Sequence, residues 1–245
     1  MHAAEIRDQA LALIAAGVND CEVARRLGLA RTTVRDWRRP RYKAPPRPLC
    51  PRCWRRMQPL AFTVEDYSEL LGLYLGDGHI TRMARAERLR LFLDARYAAV
   101  VGEAEALLRR CFPRNSVGRA VRHGGAMVVL LLYNGHLSCL FPQHGAGKKH
   151  DRRIVLEPWQ RELVAAAPFA FLRGCIRSDG CVFVNRTGRY EYVSYAFSNV
   201  SADILDLFEQ TCRSVGLRPR RSDRHIRLNR RSDVALMLDR VGVKA

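Results

Sequence analysis

The stretch LLGLYLGDGHI, from Leu70 to Ile80, recurs later in the chain as LRGCIRSDGCV, from Leu172 to Val182. Each copy is a mostly apolar, helix-like run with a glycine near its start, and each run ends in Asp-Gly. Each copy therefore places one carboxylate, Asp77 or Asp179, at the end of a helix whose packing face is small or apolar. Two such helices packed side by side would bring the two carboxylates together.

Small residues at matched positions predict a close approach of the two helices. Gly72 and Gly76 correspond to Gly174 and Ser178, and none of these residues has the bulk to hold two helix backbones apart. Two buried carboxylates repel each other, and a divalent cation relieves that repulsion. Mg²⁺ (or Mn²⁺) is the expected cation because hard cations prefer oxygen ligands. The predicted metal-site residues are Asp77, Asp179, Gly76 and Ser178.

The chain from residue 62 onward has the same order of elements twice. Residues 62–150 predict a helix, two strands, a helix, two strands and a helix, and residues 151–245 repeat that order. A duplication of this size indicates two pseudo-symmetric halves. The predicted fold class is α+β, with two αββαββα halves that each contain an antiparallel sheet, preceded by a small all-α domain.

The N-terminal segment, residues 1–39, is predicted to be a helix-turn-helix domain. Its sequence NDCEVARRLGLARTTVRDW resembles the DNA-binding domains of resolvase and transposase families, with a glycine opening the turn. The second helix of such a motif enters the major groove. A three-helix bundle that binds protein is the alternative. The exposed residues of that helix, expected to contact DNA, are Arg31, Thr32, Thr33, Arg35 and Arg38.

Residues 40–61 are rich in proline and arginine and are predicted to form an extended linker. Within the linker, Cys50 and Cys53 are spaced as in one knuckle of a zinc ribbon. A structural zinc site needs four ligands, and no second CxxC or HxxxH follows. Half of a Zn²⁺ site and two thiols that bind no metal are both open interpretations. The other six cysteines are scattered singly, which indicates a reducing cytoplasm and not a disulfide framework.

Composition points to a nucleic acid partner. The chain of 245 residues has a formal net charge of +18, and 48% of its residues are hydrophobic, enough for a folded core. A protein this basic most often binds a polyanion, so double-stranded DNA is the expected partner. No apolar run reaches the ~18 residues that span a bilayer, and residues 1–10 do not form a signal peptide. The sequence predicts no membrane association and a bacterial-type cytoplasmic location at the nucleoid.

The two copies, LLGLYLGDG and LRGCIRSDG, resemble the signature motifs of the LAGLIDADG homing endonucleases. The resemblance covers residues 62–245, and the two-motif chain is similar to the monomeric members of that family. It implies two sheets that form a saddle over the DNA, and an Mg-dependent, sequence-specific endonuclease that acts in intron or intein mobility. In this family the acids corresponding to Asp77 and Asp179 hold the metal that supports phosphodiester hydrolysis.

Further residues are assigned from this resemblance. Lys148 and Lys149 lie between the halves, near the expected catalytic floor, where a lysine offsets transition-state charge or contacts a DNA phosphate. Polar strand residues are expected to face the DNA, where Arg and Asn can read base edges while others hold phosphates. The expected strand contacts are Arg82, Arg90, Arg119, Arg122, Asn185, Arg186, Tyr192, Arg220, Arg224 and Arg227.

Two departures from the family keep a second function open. The acid usually found two places before the catalytic acid is Leu75 in the first copy and Arg177 in the second. Arg177 is expected to pair with an acid or to contact DNA. Most stand-alone homing enzymes lack an N-terminal helix-turn-helix, whereas some transcription regulators similar to LAGLIDADG proteins have one. A catalytically silent, DNA-binding transcriptional regulator is therefore the alternative, although both aspartates are retained.

Overall fold

The computed structural model describes residues 4–38, Cys50, Cys53 and residues 62–244. The chain forms two compact units, Met1–Arg47 and Pro48–Ala245. The predicted linker therefore lies outside the described residues apart from its two cysteines. Among the helices in the described ranges, none is both long and apolar enough to cross a membrane.

The described part of the first unit, residues 4–38, contains three short helices. They are α1 (Ala4–Ala15), α2 (Asp20–Leu27) and α3 (Arg31–Arg38). Helix α2 begins at Asn19, whose side chain accepts hydrogen bonds from the backbone N–H groups of Cys21 and Glu22 at 3.1 and 3.0 Å. It ends at Gly28, which has a φ of 64°, a conformation that glycine adopts readily. The turn between α2 and α3 is therefore set by local sequence, as the helix-turn-helix pattern predicts.

A small apolar core holds the three helices together. Its buried members are Ala10, Val23, Ala24 and Val34. Arg38, at the end of α3, donates a hydrogen bond to the Val18 carbonyl at 2.7 Å and pairs with Asp20 at 2.6 Å. Arg38 therefore ties α3 to the start of α2, whereas Arg31, Thr32 and Arg35 are exposed and Thr33 is half-buried.

Apart from one additional helix, residues 62–244 have the order of elements that the repeat predicts. The first half consists of α4 (Val64–Asp77), β1 (Gly78–Arg82), β2 (Glu87–Asp94), α5 (Ala98–Cys111), β3 (Val117–Arg122), β4 (Met127–Asn134) and α6 (Leu137–Leu140). The second half consists of α7 (Pro158–Ala166), α8 (Pro168–Asp179), β5 (Gly180–Thr187), β6 (Tyr190–Ser198), α9 (Ala202–Ser214), β7 (Arg220–Ser222), β8 (His225–Leu228) and α10 (Arg231–Arg240).

Helix α7 is absent from the sequence prediction, although its start carries clear signals. Pro158 is its first residue, and Glu157 and Gln160 form a capping box. Gln160 is buried, and its side chain donates a hydrogen bond to the Tyr67 hydroxyl of α4 at 2.8 Å. This helix therefore packs against α4 and connects the two halves.

Each half contains one four-stranded antiparallel sheet. The strand orders are β1-β2-β4-β3 and β5-β6-β8-β7, so the predicted α+β fold of two similar halves is confirmed. Alternate residues of each strand pack on the helices, such as Leu89 and Leu91 in β2, and Tyr195 and Phe197 in β6. The residues between them form the opposite surface of each sheet, which is called the open face below.

Helices α4 and α8 pack against each other at the centre of the second unit. A Cβ atom added at Gly72 would lie 2.5 Å from the Phe171 carbonyl oxygen and 2.8 Å from the Cys175 nitrogen. A Cβ atom added at Gly174 would overlap the carbonyl oxygen of Glu69. The predicted close approach of the two helices is confirmed. It requires glycine because the facing atoms belong to backbone, which cannot move aside as a flexible side chain can.

Candidate active site

Asp77 and Asp179 end the two central helices. Each is the last residue of its helix, and each is followed by a glycine that begins the first strand of its half. A Cβ atom added at Gly76 would lie 2.8 Å from the Oδ2 atom of Asp179, so the Asp179 side chain reaches across to α4. The glycine-mediated packing therefore gathers both carboxylates into one cluster, called the acid pair below.

The acid pair resists full ionisation. Burial and the neighbouring Asp179 carboxylate raise the pKa of Asp77 to about 7, while Lys244 and Lys149 oppose the rise. Burial also raises the pKa of Asp179, but a hydrogen bond from the Asn199 side chain at 2.8 Å opposes that rise. The Asn199 hydrogen bond and the two lysines therefore favour the anionic form of Asp179, whereas burial and the Asp179 charge favour the neutral form of Asp77.

Two lysines, one from the end of each half, lie beside the acid pair. The Lys149 ammonium donates hydrogen bonds to the last carbonyls of α4, including those of Leu75 at 2.9 Å and Gly76 at 3.1 Å. The Lys244 ammonium donates to the carbonyl of Ser178, next to the end of α8. Both helix ends carry partial negative charge, which these cations offset. Burial lowers the pKa of Lys149 to about 8, although the two carboxylates oppose that shift.

The sequence prediction placed Lys148 and Lys149 together at the site, but the structure separates them. Lys149 joins the acid pair, whereas the Lys148 side chain is exposed. Lys244, by contrast, is missing from the sequence prediction. The repeat itself could have predicted Lys244, because the triplet GKK, which ends at Lys149, corresponds to the triplet GVK, which ends at Lys244. The glycines that begin these triplets, Gly147 and Gly242, both have positive φ angles of 73° and 80°.

Arg152 holds the loop that carries Lys149. Its guanidinium donates hydrogen bonds to the carbonyls of Gln143, Gly145 and Gly147 at 3.2, 3.2 and 2.8 Å. The Arg152 side chain therefore ties the loop between the halves to its own backbone. Arg152 acts as a positioning residue for Lys149, because its contacts fix the loop immediately before the one-turn helix in which Lys149 lies.

Arg177 occupies the position where the family usually has an acid. Its side chain pairs with Glu69 of α4, and with Glu103 of α5 at 2.5 Å. Glu69 also pairs with Arg173 at 3.3 Å. The expectation that Arg177 pairs with an acid is confirmed, and the charged group adds a tie across the α4–α8 interface beside Gly174.

Strand register divides the predicted DNA contacts between the two faces of the sheets. On the open faces lie Arg90, Arg122, Asn185, Tyr192, Arg220 and Arg227. On the faces toward the helices lie Arg82, Arg119 and Arg186, and Arg224 lies in the turn between β7 and β8. Sequence alone could not separate these two groups, because strand ends that extend past the core are polar on both faces. In those ends the alternation of apolar and polar residues no longer indicates which side chains face the helices.

The structure of residues 62–244 has the LAGLIDADG fold. Sequence comparison finds no match to a protein-family profile or to a curated protein, so the likeness is one of structure. The chain is similar to full-length DUF199/WhiA from Thermatoga maritima, with a TM-score of 0.50 and 18% identity over 76% of this chain. That alignment covers 57% of the WhiA chain, so the present chain spans little more than half of it.

Two further structures share the fold. The N-terminal LAGLIDADG domain of DUF199/WhiA aligns with a TM-score of 0.50 and 17% identity, over 76% of this chain and 86% of that domain. I-DmoI, solved in complex with DNA and Mn, aligns with a TM-score of 0.50 and 14% identity, over 74% of this chain and 98% of I-DmoI. At these sequence identities the comparisons establish the fold alone, so the activity has to be inferred from the residues of the site.

Proposed function

We propose that this chain is a sequence-specific, double-stranded DNA endonuclease of the homing type. The observation that supports the proposal is the acid pair, in which Asp77 and Asp179 end two closely packed helices and lie in one half-buried cluster. One acid comes from each half, which suits a duplex with two scissile phosphates related by approximate two-fold symmetry. Because a single chain supplies both acids, we propose that the enzyme acts as a monomer.

The residues of the site fit a divalent metal. The candidate donors are oxygens, and Mg²⁺ or Mn²⁺ prefers such ligands. They are the two carboxylates and the carbonyls of Gly76 and Ser178, which also accept hydrogen bonds from Lys149 and Lys244. Burial and the Asp179 carboxylate raise the pKa of Asp77 to about 7, so a cation bound beside the pair would favour the ionised form of Asp77. A divalent ion bound there would supply Lewis acidity and lower the pKa of a bound water.

The chain's own residues orient the reacting groups and offset charge. Asn199 fixes one oxygen of Asp179 by a hydrogen bond. Lys149 and Lys244 place two cations beside the acids, where they can offset the negative charge that develops on a phosphate during hydrolysis. A cavity of about 260 Å³, lined in part by Lys149, Asp179 and Asn199, leaves space for a ligand beside the acid pair.

DNA is the substrate that the charge of the chain favours. The formal net charge is +18, and arginines lie on the open faces of both sheets, including Arg90 in the first and Arg227 in the second. Such side chains can hold phosphates and read base edges. The structural likeness to I-DmoI, which was solved in complex with DNA and Mn, supports the same class of substrate.

A cleavage assay on a randomised duplex library tests the proposal. We expect the full chain to cut a subset of sequences on both strands with Mg²⁺ or Mn²⁺, and to leave the library intact in EDTA. The Asp179→Asn variant, purified in the same way, controls for a contaminating nuclease and should not cut. A wild-type protein that binds duplex DNA but cuts no member of the library with either metal would contradict the proposal.

The alternative is a DNA-binding regulator that keeps the fold without cleavage. The observation that favours it is the N-terminal unit, whose Asn19 cap, Gly28 turn and exposed arginines on α3 suit insertion into a major groove. A regulator should bind its site equally well in EDTA, and replacement of both Asp77 and Asp179 should leave that affinity unchanged. The library assay separates the two functions because only the nuclease generates new DNA ends.

Replacement of Lys149 by methionine is expected to slow cleavage about 10- to 100-fold while the dissociation constant for DNA changes by less. The reason is that a cation beside the acids stabilises developing charge and makes only one of many contacts to the duplex. Lys244→Met should have a comparable effect. The exposed Lys148→Met variant is the matched control, and single-turnover cleavage rates should remain close to wild type. Equal losses in the Lys148 and Lys149 variants would contradict this assignment.

Adjacent arginines on β7 give a test of the open face. Arg220 lies on the open face, whereas Arg221 points toward α9 and pairs with Asp206 and Glu209. We expect Arg220→Ala to weaken DNA binding. The plot of the logarithm of the association constant against the logarithm of salt concentration should become less steep by up to about one unit. Arg221→Ala should leave both quantities nearly unchanged. The measurement is a fluorescence anisotropy titration at several salt concentrations, and the reverse order of effects would show that the register is wrong.

A further inference from the structure

Four side chains that commonly bind metal meet at a second place, apart from the acid pair. The ligand atoms of Cys50, Cys53, His136 and Cys139 all lie within 4.8 Å of one another. The Cys53 sulfur lies 3.4 Å from the Nδ1 atom of His136. Cys50 and His136 are buried, and Cys53 and Cys139 are half-buried, so the cluster is partly closed to solvent. The CxxC of the linker therefore faces an H-x-x-C segment at the start of α6.

We infer that these four residues form a structural Zn²⁺ site of the Cys₃His type. Three sulfurs and one imidazole nitrogen are soft or borderline ligands that select zinc over Mg²⁺. With Zn–S bonds of about 2.3 Å, two sulfurs of a tetrahedral site lie about 3.8 Å apart, and a sulfur and a nitrogen about 3.6 Å apart. The observed separations require only a small contraction of side chains that already face one another.

Hydrogen bonds around α6 hold two of the ligands in place. The His136 N–H donates to the Asn134 side chain at 2.9 Å, and the Ser138 N–H donates to the Glu87 carboxylate at 2.7 Å. The Cys139 N–H donates to the His136 carbonyl at 3.1 Å. His136 and Cys139 thus belong to a preformed turn, and such support around metal ligands strengthens binding.

Zinc at this position would join the start of the second unit to the end of its first half. Cys53 and His136 are 83 residues apart in sequence, so their coordination closes a long segment of chain that contains α4, α5 and the first sheet. A metal bound only by folded chain contributes its binding free energy to folding. The site is therefore structural, and its sulfur-rich ligands distinguish it from the all-oxygen acid pair.

Elemental analysis of the purified full chain tests the inference. We expect about one zinc per chain after expression in zinc-containing medium and purification under reducing conditions. Cys139→Ser and Cys50→Ser should each lose most of that zinc. Cys181→Ser, at an exposed position on β5, and Asp77→Asn, at the acid pair, are the controls and should retain it.

Cobalt substitution keeps the test informative if the ligand variants fold poorly. The wild-type protein reconstituted with Co²⁺ should show intense thiolate-to-cobalt absorption and the strong visible bands of a tetrahedral site, and removal of the metal should lower the thermal midpoint by about 5 °C or more. A wild-type chain without zinc and without these cobalt bands would overturn the inference. So would iron in place of zinc, or a zinc content that is unchanged in both ligand variants.

Discussion

Asp77→Asn is expected to abolish DNA cleavage and, at the same time, to stabilise the protein at pH 8. Cleavage should fall by roughly a thousandfold or more, because the variant removes one charged oxygen from the proposed metal site. A metal held there would contribute several kcal/mol of transition-state stabilisation. DNA affinity should change little, because the acid pair contributes no positive charge to the interface. The cleavage rate is measured under single-turnover conditions with saturating enzyme.

The gain in stability follows from the raised pKa of Asp77. Burial and Asp179 raise the pKa of this carboxyl group from its ordinary value to about 7, so ionisation of the carboxyl group favours the unfolded chain. The resulting cost is absent near pH 4, grows between pH 4 and pH 7, and is complete above pH 7. Asparagine cannot ionise, so its free energy of unfolding at pH 8 should exceed that of wild type by roughly 2–4 kcal/mol.

The pH dependence distinguishes this electrostatic cause from a packing effect. Denaturant unfolding without divalent metal should show the stability difference at pH 8 and almost none at pH 4. The Asp66→Asn variant is a suitable control, because Asp66 lies on the same helix but pairs with Arg110 at 2.9 Å near the surface. If Asp77→Asn shifts the free energy of unfolding equally at both pH values, or lowers it at pH 8, ionisation of Asp77 does not destabilise the folded protein. An Asp77→Asn enzyme with undiminished cleavage would remove Asp77 from the reaction.

The repeat made the centre of this fold predictable. Matched Asp-Gly pairs at Asp77 and Asp179 located the ends of two helices, and matched glycines at Gly72 and Gly174 indicated that these helices touch. Both features are local in sequence yet determine a contact between distant segments, because backbone atoms approach this closely only where no Cβ intervenes. The packing of this helix pair, and the order of helices and strands along the chain apart from α7, could therefore be predicted from the sequence.

The parts of the site that escaped prediction depend on contacts without a local signature. His136 and Cys139 are 83 or more residues from the CxxC, and only the fold brings them to it. The side of the sheet on which Arg119 lies depends on the register with β4, since β3 is an edge strand whose alternation is weak. Lys244 differs from these residues, because the repeat itself predicts it. The triplet that ends at Lys244, after the last helix, matches the triplet that ends at Lys149.

Gly174→Val is expected to unfold the second unit or to destabilise it severely. The added Cβ would overlap the Glu69 carbonyl oxygen, and it would lie 2.9 Å from the Leu73 nitrogen. Both atoms are backbone atoms of α4, so the clash can be relieved only if α4 and α8 move apart. Separation of these helices would open the centre of the core and divide the acid pair. We therefore expect the free energy of unfolding to fall by about 3 kcal/mol or more, which is at or above the upper end of the range for overpacked cores.

Gly102→Ala provides the matched control for that loss. Gly102 lies in the interior of α5, is exposed, and has no atom within 4 Å of an added Cβ. Alanine there should raise the free energy of unfolding by about 0.5–1 kcal/mol, because glycine is the poorer helix former. Urea unfolding followed by circular dichroism measures both variants. If Gly174→Val were tolerated as well as Gly102→Ala, the helices would not be in backbone contact, and neither the acid pair nor the proposed nuclease centre could have the geometry on which it depends.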